Sequence, residues 1–498
     1  MKRPLVVDIV VLILSVGMVM PGDGQANETL HIPAVSRMMR DIVTLSRPDF
    51  AGRQTGTEGG RRSAEYVAAR FHRLGLMPVG DQAIGPQHQL WAQTRPVTVT
   101  HIQAPATLEF SSLIQAGSPS SIAPALGSQF LPVLDSPSID VMAPIVFVGY
   151  GISDPARGWD EYEGLDVRNR VVMFLRGKPP HYPLHIQHGA KEDLARAKGA
   201  VGFITLTGPV LSRYAARRGM GRQPLAFYTN ADDERPLPGV WIETNVGEKL
   251  FEAQGLHLKQ IQDALNSKRA IQSRALDGLV SMKWESHHRP GSLINVLGMI
   301  PGTDPLLKHE TIILGAHRDH FGAQAGLLFP GADDNASGTA LLLEIARALV
   351  NGTPPKRTIL VASFSGEEQN LLGSAWYVQH PARLLDTTVV MINIDHVGIG
   401  NGQLTVGVSN MSNAVAKRAA ETAGVSENVK VYGFFPGGDH VPFAKAGTPT
   451  IAIVTAGKHP HFHQPSDTPD TIQPEMLSTA ARFVLALTQQ LVNSRQLR

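Results

Sequence analysis

Residues 311–338 read TIILGAHRDHFGAQAGLLFPGADDNASG. An apolar run, Thr311–Leu314, ends in the small-residue step Gly315-Ala316, and His317 and Asp319 follow two apart. A glycine-rich loop then closes on Asp333-Asp334-Asn335, just ahead of a helical pattern that begins at Ala336. A strand that delivers a His-x-Asp pair, then a loop that delivers more carboxylates, has the form of half a hydrolytic metal site. The other half is to be sought downstream.

From Thr311 onward, strand runs alternate with helical patterns. The spacing predicts strands at 311–315, 358–363, 389–394 and 450–454, and helices at 336–350, 370–379, 411–423 and 475–493. Such alternation implies an α/β fold with a mostly parallel, mixed sheet flanked by helices. Ligand sites in these sheets lie beyond the carboxyl ends of the strands. His317 and Asp319 follow the first strand, and Glu367-Glu368 follow the second through Phe364-Ser365-Gly366. Asp395 ends the third, and His463 lies beyond the fourth in His461-Phe462-His463-Gln464-Pro465-Ser466-Asp467-Thr468. Any one of these residues alone reads as a solvated loop charge. As a set at four strand ends they do not, because scattered surface charge has no reason to respect strand ends.

The residue types suit hydrolysis. Two divalent ions about 3.5–4 Å apart share one carboxylate and activate a water between them, while a free carboxylate takes the water's proton. In an adjacent pair of glutamates one can bind metal while the other stays free as base. The chain has no cysteine, so any metal is held by His and carboxylate, which suits zinc or a similar divalent ion. No G-x-S-x-G, H-E-x-x-H or P-loop pattern is present.

Upstream of this half, a helix is expected over 33–45 and another over 58–74, the latter capped by Thr57 and stopped by Gly75. Residues 100–140 read as short strands and connections. Strand runs follow at 143–150, 170–175 and 201–206, with helices at 191–198 and 247–265. Residues 208–240 are irregular and basic, and strands at 280–284 and 293–300 lead back into the main domain. At 498 residues the chain is too long for one ordinary core, which implies at least two domains. Lys+Arg 45 against Asp+Glu 43 argues against a nucleic-acid partner read by bulk charge. Residues 1–26 read as a cleaved signal peptide: Lys2 and Arg3, then the mostly apolar Leu5–Met20, then Gly24-Gln25-Ala26. Asp8 departs from that pattern, and an uncleaved anchor is the alternative, with an apolar run shorter than the roughly 20 residues of a span. The expectation is an exported protein, periplasmic or secreted, with no stable membrane insertion after cleavage.

Five pieces in order carry a family resemblance. They are Gly315-Ala316-His317-Arg318-Asp319-His320, Gly331-Ala332-Asp333-Asp334-Asn335-Ala336-Ser337-Gly338, Ser365-Gly366-Glu367-Glu368-Gln369, Asn393-Ile394-Asp395, and His463-Gln464-Pro465-Ser466-Asp467-Thr468. With Ala51-Gly52-Arg53 and Gly56-Thr57, the chain resembles a co-catalytic zinc aminopeptidase of the M28 peptidase family. The resemblance implies a zinc-exopeptidase-like fold, two zinc ions per chain and peptide substrates. It implies that His317 and Asp395 hold one zinc, Glu368 and His463 the other, and Asp334 bridges them. Glu367 would be the general base and Asp319 the carboxylate behind His317, with Asp333 and Asn335 supporting the ligands or capping the helix at 336. Residues 138–275 resemble an inserted β-rich protease-associated (PA) domain, through Val146–Ile152, Tyr162–Val167, Val171–Arg176 and Ala197–Gly202. That divides the chain into a signal peptide (1–26), an N-terminal part of the peptidase domain (27–137), the insert, and the catalytic half (276–498).

Two positions depart from the family. Phe462 stands where a tyrosine hydroxyl commonly stabilises the oxyanion, so either another group, His461, His440 or Tyr432, replaces it or turnover is weakened. Gly438 stands where serine is frequent in Ser-Asp-His. Arg318 is a candidate for a substrate carboxylate, although such an arginine is more often structural. A one-zinc cyclotransferase of the glutaminyl-cyclase type, a carboxypeptidase and a non-catalytic binding module remain as alternatives.

Overall fold

In the computed structural model, residues 33–495 are described apart from 116–117, 222, 230–235 and 268–271. The expected signal peptide lies outside the described residues.

The main sheet is built on three strands that bury nearly every residue. These are Thr311–His317 (β3 below), Thr358–Phe364 (β4) and Thr388–Ile394 (β5). Strands apolar on both faces are what a parallel sheet covered by helices requires. β3 pairs in parallel with β4 on one side and with β5 on the other. Ahead of them in the chain come Gln89–Ile102 (β1) and Ser286–Ile300 (β2); after them come Leu404–Ser409 (β6), Val429–Tyr432 (β7) and Thr450–Thr455 (β8). Across the sheet the order is β1-β2-β4-β3-β5-β8-β6-β7, with one short strand beyond β1 and another paired with the end of β2. β5 and β8 are also parallel. The carboxyl ends of β3, β4, β5 and β8 therefore line one edge of the sheet.

Helices cover both faces. Val35–Leu45 (α1) and Glu58–Leu74 (α2) lie before the second sheet in the chain; Arg213–Arg218 (α3) lies within its span; Gly338–Val350 (α4) and Pro474–Asn493 (α5) lie beyond it. Along β3 the side chains alternate. Ile312, Leu314 and Ala316 join α1, α2, α4 and α5 in the largest apolar cluster, whereas Ile313 joins Tyr377 and Phe443 on the opposite face. α2 starts where Thr57 accepts the Gly60 N–H and ends at Gly75, whose φ of 77° suits a left-handed cap. The helix expected from Ala336 begins at Gly338 instead. A wide turn over Ala332–Ser337 precedes it, and Asn335 Oδ1 accepts the Gly338 N–H.

A second, eight-stranded sheet is formed by residues between β1 and β2. β1 and β2 pair antiparallel from Ile102–Ser286 to Ala92–Val296, so the chain leaves and re-enters the main sheet along one ribbon. The second sheet spans 107–284, wider than the 138–275 read from sequence, because Thr107–Gln115 pairs with Arg274–Trp284. The helix expected over 247–265 is two, Thr244–Glu252 and Leu258–Asn266, separated at Gly255 with φ 67°. Among the described residues no helix is long and apolar enough to cross a membrane.

Candidate metal centre

His317 closes β3, and its ring is wholly buried. Its Nε2 lies 3.1 Å from Asp395 Oδ1 and 3.4 Å from Asp334 Oδ1, and its Nδ1 faces Asp319 Oδ1 at 3.6 Å. His463 approaches from the other side, with Nε2 3.1 Å from Asp334 Oδ2 and 3.5 Å from Glu368 Oε2. The two oxygens of Asp334 thus face two different histidines. Glu367 and Glu368 enter from the loop after β4, and the Glu367 N–H donates to Asp319 Oδ1 at 3.3 Å. The seven residues expected as ligands, base and supporting carboxylate are therefore brought together.

The electrostatics of this cluster call for a cation. Asp319, Asp334, Asp395, Glu367 and Glu368 crowd one buried space. Burial, then the charges of Asp334 and Glu367, push the Glu368 carboxyl well above the usual carboxylate range. Burial likewise raises Glu367, with Asp395, Asp439 and Asp334 adding to it against the opposing charge of His317. Asp334 goes the other way: the hydrogen bond and charge of His463, with His320 and His317, overcome burial and hold it far below that range. For His317 burial alone would lower the pKa, but Asp395 and Glu367 override it and raise it well above the ordinary value. Paired histidine nitrogens and carboxylate oxygens aimed at common points, with anionic charge in excess, fit zinc held by nitrogen and oxygen donors.

His320, Asp467 and Arg53, which sequence reasoning left without a role, surround the cluster, and Asp333 supports its loops. His320 Nδ1 lies 2.7 Å from Glu368 Oε1 and joins Asp334 and Glu368 in a group able to hold a metal ion. Asp467 accepts the N–H groups of Asp333 and Asp334 at 2.9 and 3.0 Å, fixing the loop that presents Asp334. Asp333 accepts from Gly398 N–H at 2.7 Å and lies 3.0 Å from His459 Nδ1, so it ties the loops together instead of facing the cluster. Buried Arg53 donates to the carbonyls of Arg318, Pro330 and Gly331 at 2.6, 2.6 and 2.7 Å. Burial lowers its pKa to about 10, against the attraction of Asp467, Asp319, Asp334 and Glu368. It remains a cation beside the carboxylates. Asp439, buried next to the cluster, is pushed up to about 7.

The four candidates for substrate contact fare differently. Arg318 is buried and donates to the carbonyls of Ser363 and Phe364 at 2.9 and 3.1 Å, and to Ile294 O. Both terminal nitrogens are engaged by main chain, which corrects its placement against a substrate carboxylate. His440 Nε2 bonds the Phe435 carbonyl at 2.9 Å, so the one N–H of its neutral ring is engaged, and burial lowers its pKa. That corrects its place among the oxyanion donors. His461 bonds Ser466 Oγ at 2.9 Å, and Tyr432 ends edge strand β7 half exposed. Phe462 stacks on His463, ring centroids 3.7 Å apart.

Residues 295–488 match the family described as Peptidase family M28. Aminopeptidase YwaD of Bacillus subtilis (strain 168) is 32% identical over 325 residues, 61% of this chain and 65% of that protein. A probable leucine aminopeptidase of Arthroderma otae is 28% identical over 208 residues, 40% of this chain and 57% of its own length. The chain thus spans less than two thirds of these curated relatives. The fold is that of the aminopeptidase from Aneurinibacillus sp. strain AM-1 (TM-score 0.66, 19% identity, 95% of this chain and 97% of that one). It is also that of a zinc aminopeptidase from Bacillus subtilis (TM-score 0.61, 21% identity, 93% and 96%). Over residues 295–488, the chain is therefore similar to peptidase family M28.

Proposed function

We propose that the chain is an exported, zinc-dependent aminopeptidase that removes N-terminal residues from peptides. The observation that carries this reading is Asp334, whose Oδ1 faces His317 Nε2 at 3.4 Å and whose Oδ2 faces His463 Nε2 at 3.1 Å. A carboxylate shared between two histidine sites is the geometry of a bridging ligand. His317 and Asp395 would hold one zinc, Glu368 and His463 the second, with Asp334 common to both. Zinc bound there supplies Lewis-acid polarisation of the scissile carbonyl and a water of lowered pKa.

Glu367 is the base in this reading. Its carboxylate takes the proton of the attacking water and returns it to the leaving amine. Once protonated, the same carboxyl is the acid for that second transfer. Asp319 faces His317 Nδ1 at 3.6 Å from behind, leaving Nε2 for the metal. The second sheet, read as a PA-like domain, borders the site through His463. Export rests on residues 1–26, and mature protein from its host should begin near Asn27; a chain beginning at Met1 would overturn it.

Metal analysis with a screen of amino-acid arylamides tests the whole reading. Two zinc ions per chain and release of free N-terminal residues are expected. One zinc with cyclisation of N-terminal glutamine would identify the cyclotransferase instead, and cleavage only from the C-terminus a carboxypeptidase.

A further inference from the structure

We propose that the segment Arg218–Thr229 of the second sheet's domain is a strap that positions His463 for its metal. The inference rests on the reading of His463 as a zinc ligand. Its carrier is a set of contacts between this segment and the loop 455–464. His463 Nδ1 donates to the Ala226 carbonyl at 2.9 Å, and the Ala226 N–H donates to the His463 carbonyl at 3.1 Å. The first bond puts the ring proton on Nδ1 and leaves the Nε2 lone pair aimed at the space beside Asp334 and Glu368. The second holds a strained backbone: His463 has φ 56°, a region that side chains other than glycine rarely adopt.

The strap is fixed at several of its described residues. Buried Arg218, the last residue of α3, donates to the Thr455 carbonyl at 2.7 Å, and its second terminal nitrogen lies 3.1 Å from His396 Nδ1. The Arg218 carbonyl accepts the His459 N–H at 2.6 Å. Gly219, at φ 63°, lies so close to the loop that a Cβ there would come within 2.8 Å of Lys458 Cβ. Gln464 donates from its side chain to the Pro224 carbonyl. At the far end, Tyr228 accepts from Gln54 at 3.1 Å, tying the strap to the loop that carries Arg53. The second sheet's domain is therefore part of the metal site's construction as well as a neighbour of it.

Gln464→Leu cuts one contact to the strap without touching a ligand atom. Zinc affinity, titrated against a chelator at a temperature where the variant is folded, is expected to fall about tenfold or more at one of two sites. Arg218→Met should weaken both, because its guanidinium also holds His396, next to Asp395. A His463→Ala control separates the two readings. If that control binds zinc as the wild type does, the ligand assignment itself fails. If the control loses affinity and folded Gln464→Leu does not, the strap alone is overturned. Wild-type protein gives an independent measurement: zinc must slow hydrogen exchange at the Ala226 amide, since coupling between the two is reciprocal. Equal exchange at Ala226 with and without zinc overturns the proposal even if neither variant folds.

Discussion

Glu367→Gln separates proton transfer from metal binding. Gln keeps the volume and reach of the side chain but has no basic oxygen. Glu367 sits behind β4 with its main-chain N–H on Asp319 Oδ1, so the position of residue 367 does not depend on the carboxylate. Its charge is opposed by Asp395, Asp439 and Asp334, and removing it relieves repulsion in the metal-free protein. The variant should therefore fold at least as well without metal and bind zinc to the wild-type ratio. Positioned proton transfer contributes about 10²–10⁴-fold, or roughly 2.7–5.4 kcal/mol of barrier. The expected result is that loss in kcat on an amino-acid arylamide, with KM little changed. Near-normal kcat with both metals retained would remove Glu367 from the role of base. Loss of zinc together with activity would show that Glu367 is a ligand, as its grouping with His317 and Glu368 allows.

Phe462→Tyr adds a hydroxyl to a partly exposed ring stacked on His463. One new hydrogen bond to the developing oxyanion is worth roughly 1–1.5 kcal/mol, so kcat should rise about tenfold; an unchanged kcat would mean that another donor already serves. Glu344 is buried between Arg37 and Arg347 at 2.7 and 2.9 Å and caps α1 by accepting the Ala34 N–H at 2.8 Å. Burial would raise its pKa, but Arg37 and Arg347 overcome that and hold it below the ordinary value. Its contribution to stability is therefore present above the unfolded carboxylate pKa of about 4.3 and is lost as pH falls through the lower folded value. Glu344→Ala should cost about 2–3 kcal/mol in denaturant titration at pH 7, discounted for the partial exposure of Arg37, and should lose part of the acid-side slope.

The centre of the fold was legible because β3, β4 and β5 are buried on both faces and read as unbroken apolar runs. β1 was not. Arg95-Pro96 interrupts its pattern, and its partner β2 has the exposed run His287-His288-Arg289-Pro290 near its start, so neither strand alternates cleanly. The candidate ligands other than Asp334 could be picked out because each follows a strand end, and parallel pairing brings those ends to one edge. Asp319, two residues from His317, was legible, but the supporting groups that come from distant sequence were not. Arg53 reaches a carbonyl 265 residues away, and Ala226 reaches His463 across 237. No local pattern encodes such a pairing; a buried arginine is revealed only by what surrounds it. Arg318 shows the converse: next to a ligand in sequence, its side chain turns to strand carbonyls.

The central claim is that one carboxylate serves two metals, and zinc content of Asp334→Ala tests it most directly. Removing the shared anion leaves two dications facing each other with less screening, so both sites should empty together. His463→Ala and His317→Ala should each empty mainly one site. A capping role for Asp334 is already assigned elsewhere, since Asn335 accepts the Gly338 N–H at the start of α4. The account predicts near-zero zinc in folded Asp334→Ala and about one zinc in each histidine variant. Full zinc occupancy in Asp334→Ala would contradict the bridging assignment and the two-metal mechanism built on it.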